Sequence, residues 1–457
     1  MGAAGEGGEK RIQTQAYTEP NTTLFDACMV GDVARVKSIL SDERTNINSR
    51  GKDNMTPVMY AAKEGHKEVF DLLVREGANL SLVDDEDRNI LHLACTGRNV
   101  DVVKYVLMQK IVSINSQDKY GWTPAMKAAF YNSNDVFDVL VEARANLLLV
   151  SDGEETILHV ACQGGNVDII KYLLTQDIVD IDRKDWFGWT PVMCTANHGH
   201  KDAFDVLVEG GADLAIMGNN KINTLHLACE GGNVEIIKYL LKHDIVDINS
   251  RDGKGSTPIM HVANDGHEDV FDVLIDKGAD VSLVNGDKET ILHLACKGGN
   301  VEIIKYLLTR NTVDINSRDN WGLTPVMRAA LMGRKNAFDL LVKWRADLSL
   351  LDDRCDNILH LACCRDSIEI VKYLLTNNIV DINSRDGDDC TPAMIAAREG
   401  CEAVFFLLVE NEADLTVLND DGDDILYLAC EGENAHIVKY VSTRHIVARP
   451  YREDDPC

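Results

Sequence analysis

Residues 190–256 read TPVMCTANHGHKDAFDVLVEGGADLAIMGNNKINTLHLACEGGNVEIIKYLLKHDIVDINSRDGKGS, and Thr257-Pro258 begins the same phrase again. Thr-Pro recurs at Thr56, Thr123, Thr190, Thr257, Thr324 and Thr391, always 67 residues apart. Leu-His keeps the same step, with His92, His159, His226, His293 and His360, and Tyr427 in the sixth place. A period held without insertion or deletion is the sequence signature of a repeat architecture, and it decides the reading of everything else.

Each 67-residue unit divides into halves of 33 and 34 residues. In the proline-type half, Thr190 suits a helix N-cap and Pro191 the first turn. Ala196 keeps that helix thin and Gly199 supplies a left-handed stop. Phe204, Val206, Leu207 and Val208 then form the apolar stripe of a second helix, closed by Gly210-Gly211. The histidine-type half repeats the plan without proline. Asn223 caps, Leu225-His226-Leu227-Ala228-Cys229 is helical, Gly231-Gly232 breaks, and Val234, Ile237, Leu240 and Leu241 line the second helix. Across the histidine-type copies the capping place holds Asn89, Thr156, Asn223, Thr290, Asn357 and Asp424. These residues differ, but all can accept from the exposed N–H groups of a first turn. Arg98, Asp366, Glu433, Arg144, Arg345 and Glu412 stand where other copies have a helix-stopping Gly. Each is expected at positive φ at a cost of roughly 1 kcal/mol, and the last three repeats are expected to open first.

Composition bounds the function. The chain has 457 residues, 74 acidic against 46 basic, and a net charge of −28. A surface of that sign repels phosphate backbones, so nucleic acid is not an expected partner and basic proteins are the better match. Seven of the 13 cysteines (Cys28, Cys95, Cys162, Cys229, Cys296, Cys363 and Cys430) fall at one repeated mid-helix position, where Cys acts as a small hydrophobe. Equivalent positions in successive copies cannot all pair, so no disulfide framework is expected and a reducing compartment is. No apolar run is long enough to span a membrane. Residues 1–21, rich in Gly, Glu and Thr, read as a disordered tail without the apolar core of a signal peptide. Gly2 invites myristoylation, but Glu6 stands where that signal wants Ser or Thr. Residues 447–457 read as a short C-terminal tail.

The Thr-Pro and Leu-His-Leu-Ala phrases and the mid-copy glycines resemble the ankyrin repeat, whose unit of about 33 residues is two antiparallel helices and a β-turn finger. Thirteen copies can be laid over residues 22–446, starting with Leu24-Phe25-Asp26-Ala27-Cys28. The resemblance implies an all-α repeat solenoid whose fingers and first helices form a concave, partner-binding face. It also implies that the repeat His ties neighbouring copies. Here the signature is split. Histidine-type copies keep His without Pro. Proline-type copies carry Met59, Met126, Met193, Met260, Met327 and Met394 in its place, so the tie is open to question in every second copy.

No nucleotide-binding phrase appears: Gly164-Gly165, Gly231-Gly232 and Gly298-Gly299 join two helices, not a strand to a helix. Cys194, His198 and His200, and Cys355, His360, Cys363 and Cys364, lie close in sequence but match no zinc spacing. No metal or cofactor is expected, and no catalytic set stands out, so a non-catalytic protein is expected. Comparison among the copies separates scaffold from variable places. After the proline-type Met come Tyr60, Lys127, Cys194, His261, Arg328 and Ile395. Further along the helix come Glu64, Tyr131, His198, Asp265, Met332 and Glu399. Four of the five tryptophans sit in the fingers entering proline-type copies, in Tyr120-Gly121-Trp122, Trp186-Phe187-Gly188-Trp189 and Trp321-Gly322-Leu323. Exposed aromatic rings anchor partners well, although each could instead pack on its neighbour and stiffen the array. The expected anchors are Trp122, Phe130, Tyr131, Trp186, Trp189, His198, His261, Arg328 and Met332. Leu241-x5-Asp247-Ile248-Asn249 and its counterparts at Asn316 and Asn383 look like the finger pattern hydroxylated on Asn in the ankyrin family, though Asn also serves a turn. The expected function is a monomeric protein-interaction scaffold of the cytoplasm, with the nucleus compatible. The other readings are an architectural spacer and the adaptor or arm of a larger signalling, channel or ubiquitin-ligase complex.

Overall fold

The computed structural model describes residues 20–176, 178–444 and 446. Among them are 26 α-helices, two per copy, and apart from two isolated bridges no β-pairing. The fold is an all-α repeat solenoid. The first helix, Pro20–Val30, begins inside the stretch read as a tail; residues 1–19 and 447–457, the bulk of both expected tails, lie outside the described residues. The chain forms two compact units, one running to Pro191 and adding Asp205–Ala212, the other made of Val192–Phe204 and the chain from Asp213 onward.

The helix starts follow the capping chemistry. Asn89, Asn223, Asn357 and Asp424 each accept two first-turn N–H groups, and Thr156 and Thr290 accept one. The repeat histidine completes this start. The backbone N–H of Thr156 donates to His159 Nδ1 at 3.1 Å, and that of Thr290 to His293 Nδ1 at 3.1 Å. With Nδ1 accepting, the proton sits on Nε2, which donates 30 residues forward: from His159 to Trp189 O at 3.1 Å and from His293 to Leu323 O at 3.0 Å. In proline-type copies methionine does more than pack. Its Sδ accepts the cap N–H from Thr56, Thr257 and Thr324 at 3.4 Å and from Thr391 at 3.5 Å. A thioether has no proton to give, so the forward tie is lost there.

Other bonds hold that second kind of junction. Asn48, Asn115, Asn249, Asn316 and Asn383 each accept, through Oδ1, a backbone N–H 31 residues on, at 2.8–2.9 Å. Arg50 and Arg251 donate 33 residues on, to Val83 O and Val284 O at 2.6 Å. Fingertips add a backbone ladder, such as Lys119 N–H to Glu86 O at 2.8 Å and Asp152 N–H to Tyr120 O at 3.0 Å.

The core is equally periodic. Phe70, Phe137, Phe204, Phe271, Phe338 and Phe405 are fully buried or nearly so. Each meets, edge to face, the tyrosine 35 residues on, from Tyr105 to Tyr440, with centroids 5.2–6.1 Å apart. Such pairs add about 1 kcal/mol beyond burial. Six of the stacked cysteines are free and fully buried, and burial pushes the Cys28 thiol up to about 12; Cys430, the seventh, is disulfide-bonded. Close approach also demands glycine: a Cβ on Gly164 would lie 2.3 Å from Phe130 O. One period after Gly298 the residue is Arg365, and there the first helix, Ile358–Cys363, stops short of the length seen in Ile90–Thr96.

All six non-glycine residues expected at positive φ are there: Arg98, Arg144, Arg345, Asp366, Glu412 and Glu433, at 50–65°. They are not alone. Asp87, Lys110, Glu154, Asp244 and Lys288 share the conformation, so backbone strain is spread along the chain and does not single out the last three copies.

Candidate protein-interaction face

All but the first of the fingers entering proline-type copies carry one shaping aspartate. Asp118 Oδ1 accepts from Tyr120 N–H at 3.0 Å and Trp122 N–H at 2.9 Å. Asp252 Oδ1 does the same for Lys254 and Ser256, Asp319 for Trp321 and Leu323, and Asp386 for Asp388 and Cys390. The second carboxylate oxygen faces the first helix nine residues on, which is the variable place expected to read a partner.

In three copies that place supplies a cation. Lys127 Nζ lies 2.8 Å from Asp118 Oδ2, an ion pair more than an aligned hydrogen bond, and 4.6 Å from the Trp122 ring centre. His261 is held between Asp252 Oδ2 and Glu230 Oε1, 3.0 Å from each. Burial opposes its charge, but the hydrogen bonds to Asp252 and Glu230 outweigh burial and raise it to about 9. Arg328 donates to Asp319 Oδ2 from Nε at 3.1 Å and Nη2 at 2.7 Å, meets Glu289 Oε1 at 3.2 Å, and lies over Trp321 at 5.2 Å. Where the finger carries Gly51 in place of Asp, the helix carries Tyr60, whose hydroxyl donates to Lys52 O at 2.9 Å. His261 and Arg328 are thus occupied within the chain, and Arg328 is 9% exposed; both depart from the expected role of presented anchors because neighbouring carboxylates hold them.

The aromatic anchors divide. Trp122, Phe130 and Tyr131 meet in a chain of edge contacts at 5.4 and 5.1 Å. Trp122 is half-buried, its Nε1–H donating to Glu155 Oε2 at 3.1 Å and its face covered by Lys127, so this ring braces one finger against the next. With Tyr120, Ser151, Asp152 and Glu155 these residues line a cleft of about 450 Å³. Tyr131 is exposed at its rim. Trp186 and Phe187 are 67% and 66% exposed, on a finger joined to that of the cleft by Trp186 N–H to Gly153 O at 2.9 Å. Trp189 is half-buried, 6.1 Å from Phe187. His198 stands apart, exposed, its Nδ1 2.9 Å from Cys194 O and its ring stacked on His200. Met332 is half-buried at the end of helix Pro325–Leu331. Phe187, Tyr120, Lys127 and Glu155 were not among the expected site residues; the nine-residue step from finger Asp to helix residue was the available signal for Lys127. Asn249, Asn316 and Asn383 are accounted for by their ties to the next finger.

Among the described residues no group of three His, Cys, Asp or Glu side chains is placed to hold a metal ion, and no helix is long and apolar enough to cross a membrane. The family model for ankyrin repeats, three copies long, matches seven overlapping segments from residues 4–84 to 345–419. The chain is similar to an ankyrin repeat domain-containing protein, SAT10, of Stachybotrys chartarum, 25% identical over 87% of this chain and 22% of the relative. It is also similar to the human transient receptor potential cation channel subfamily A member 1, 26% identical over 75% of this chain and 32% of the channel. Human inversin is 27% identical over 54% of this chain and 24% of its own length. The chain thus spans about a fifth to a third of these relatives.

Proposed function

Because the chain belongs to the ankyrin-repeat family, we propose that it is a non-catalytic protein-interaction scaffold whose partner lies across the proline-type fingers and first helices. The observation that carries this is the pair Trp186 and Phe187, two large rings presented to solvent beside the Tyr131 cleft. Exposed aromatic rings next to a concavity fit the anchors of protein interfaces. The two kinds of aromatic residue separate in a test. Trp186→Ala with Phe187→Ala is expected to abolish capture of the partner by the tagged protein while leaving its melting temperature unchanged. Trp122→Ala is expected to lower the melting temperature. Unchanged partner recovery by the Trp186/Phe187 double variant, read by quantitative mass spectrometry, sinks the proposal and favours a spacer. A second reading, that this scaffold is the interaction arm of a larger assembly, is supported by the small share of each relative that the chain spans.

A further inference from the structure

The Arg328 triad has a counterpart one period on, with its centre changed. Asp319 and Glu289 grip the Arg328 guanidinium. Sixty-seven residues later both acids are kept as Asp386 and Asp356, and the arginine is replaced by Ile395. Ile395 is 3% exposed and offers no charge. Asp386 Oδ1 accepts from the N–H groups of Asp388 and Cys390 at 3.0 and 2.7 Å, and among the described residues Asp386 forms no ion pair like that of Asp319 with Arg328. The carboxylate that faces Arg328 in one copy faces a cleft in the next.

That cleft has a volume of about 500 Å³. Leu323, Leu331, Leu361 and Ile395 supply an apolar lining, and Trp321, 48% exposed, stands on its rim. Six carboxylates line it: Asp352, Asp353, Asp356, Asp386, Asp388 and Glu399. Of its three arginines, Arg328 is held by Asp319 and Glu289, Arg398 lies 3.5 Å from Glu399, and Arg354 is the third. Burial first, and then the charges of Asp352 and Asp386, push the Asp356 carboxyl up to about 7 against the weaker pull of Arg354 and Arg398. This is the response of a half-buried acid short of a cation.

We propose that this cleft binds an arginine side chain of a partner protein, flanked by an apolar residue, with its guanidinium on Asp386 and Asp356 as the chain's own Arg328 lies on Asp319 and Glu289. The apolar neighbour packs on the exposed ring of Trp321 at the rim. The match is one of charge and position: two carboxylates lining one cleft at the places where Asp319 and Glu289 hold Arg328, above an apolar floor. The proposal deepens the scaffold reading and rests on it, but uses none of the Trp186 finger.

The probe is the blocked peptide Ac-Leu-Arg-Leu-NH2, titrated into the full chain and followed by carboxyl-carbon NMR of Asp356 and Asp386. Saturable shifts are expected, with the Asp356 titration moving to lower pH. The citrulline peptide Ac-Leu-Cit-Leu-NH2, which keeps the shape without the charge, is expected to bind at least tenfold more weakly. Asp386→Asn is expected to weaken the Arg peptide by a similar factor. Ile395→Arg, which restores the triad within the chain, is expected to bring Asp356 back to the ordinary carboxylate range and to abolish peptide binding. Equal affinity for the Arg and citrulline peptides overturns the proposal, as does absence of saturation at millimolar Arg peptide. The citrulline and Asp386→Asn arms decide the matter even if Ile395→Arg fails to fold. If the peptide fails while the wild-type chain still captures a partner through Trp186 and Phe187, the cleft assignment falls and the scaffold reading stands.

Discussion

His226 and His261 stand in neighbouring helices with ring centroids 5.5 Å apart, yet at neutral pH one is uncharged and the other charged. His226 is fully buried and bonded to backbone: Asn223 N–H donates to Nδ1 at 3.3 Å, and Nε2 donates to Ser256 O at 3.3 Å. Burial, aided by the charge on His261, holds its pKa at about 4. His261 meets two carboxylates and is raised to about 9 despite burial. The difference separates two designs within one repeat. In the histidine-type copies a side chain serves backbone groups that never vary, so the residue is fixed. In the proline-type copies the helix residue varies and is held by its finger in different ways: Lys127, His261 and Arg328 by the carboxylates of Asp118, Asp252 and Asp319, and Tyr60, where the finger has Gly51, by Lys52 O.

The comparison is broken most severely by removing a spine histidine. His159→Ala leaves Trp189 O and Thr156 N–H without their partner and opens a cavity, and is expected to cost about 3 kcal/mol. His159→Met keeps a sulfur acceptor at the cap, as in the proline-type copies, and should cost only about 1 kcal/mol. Urea unfolding midpoints compare the two; equal losses would mean that the cap contact contributes nothing.

Acid separates the two histidine classes next. The spine histidines have folded pKa values below the unfolded 6.5. Below pH 6.5 the unfolded chain therefore binds more protons, and their contribution, complete above that pH, is lost progressively as pH falls, down to about 4 for His92 and His226. His261 contributes fully below 6.5 and loses its contribution as pH rises through about 9. A melting temperature that falls by several degrees between pH 7 and 5 is expected. A flat profile there contradicts neutral, buried spine histidines.

The mildest change sharpens the contrast without unfolding anything. Asp252→Asn should lower the His261 pKa by at least one unit and, by weakening the neighbouring charge, let that of His226 rise slightly. Imidazole nitrogen NMR reads both rings in one titration. A His261 titration that stays near 9 would assign its charge to Glu230 alone.

Much of this was legible in the sequence. The period placed the starts of the Thr-Pro and Leu-His helices, and the missing glycines marked Arg98, Arg144, Arg345, Asp366, Glu412 and Glu433 as left-handed. Those features depend on a residue and its immediate backbone. The methionine cap was hidden because a thioether is an uncommon acceptor, and sequence comparison sees only a lost histidine. The site was read less well for a different reason. Variation at Lys127, His261 and Arg328 looked like freedom from packing, whereas each is constrained by a partner 9 residues earlier, or as far as 39 for Glu289 and Arg328. Exposure of Trp186 against bracing by Trp122 could not be read at all, since both are finger tryptophans and only the contacts of Glu155 and Lys127 distinguish them.

The two junctions described for the backbone also set the quantum in which such a chain can change length. The link forward from a histidine-type copy needs a finger carbonyl ahead of a Thr-Pro helix, and the link forward from a proline-type copy needs its Asn and Arg to find the next histidine-type finger. Excising residues 257–323 would bring Ser256 against Thr324 and leave each backbone tie facing an equivalent group one period away. Excising half as much would set like beside like and orphan both sets. The grammar of the array is written in pairs, so its natural currency of gain and loss is 67 residues, although the helical hairpin itself repeats twice as often.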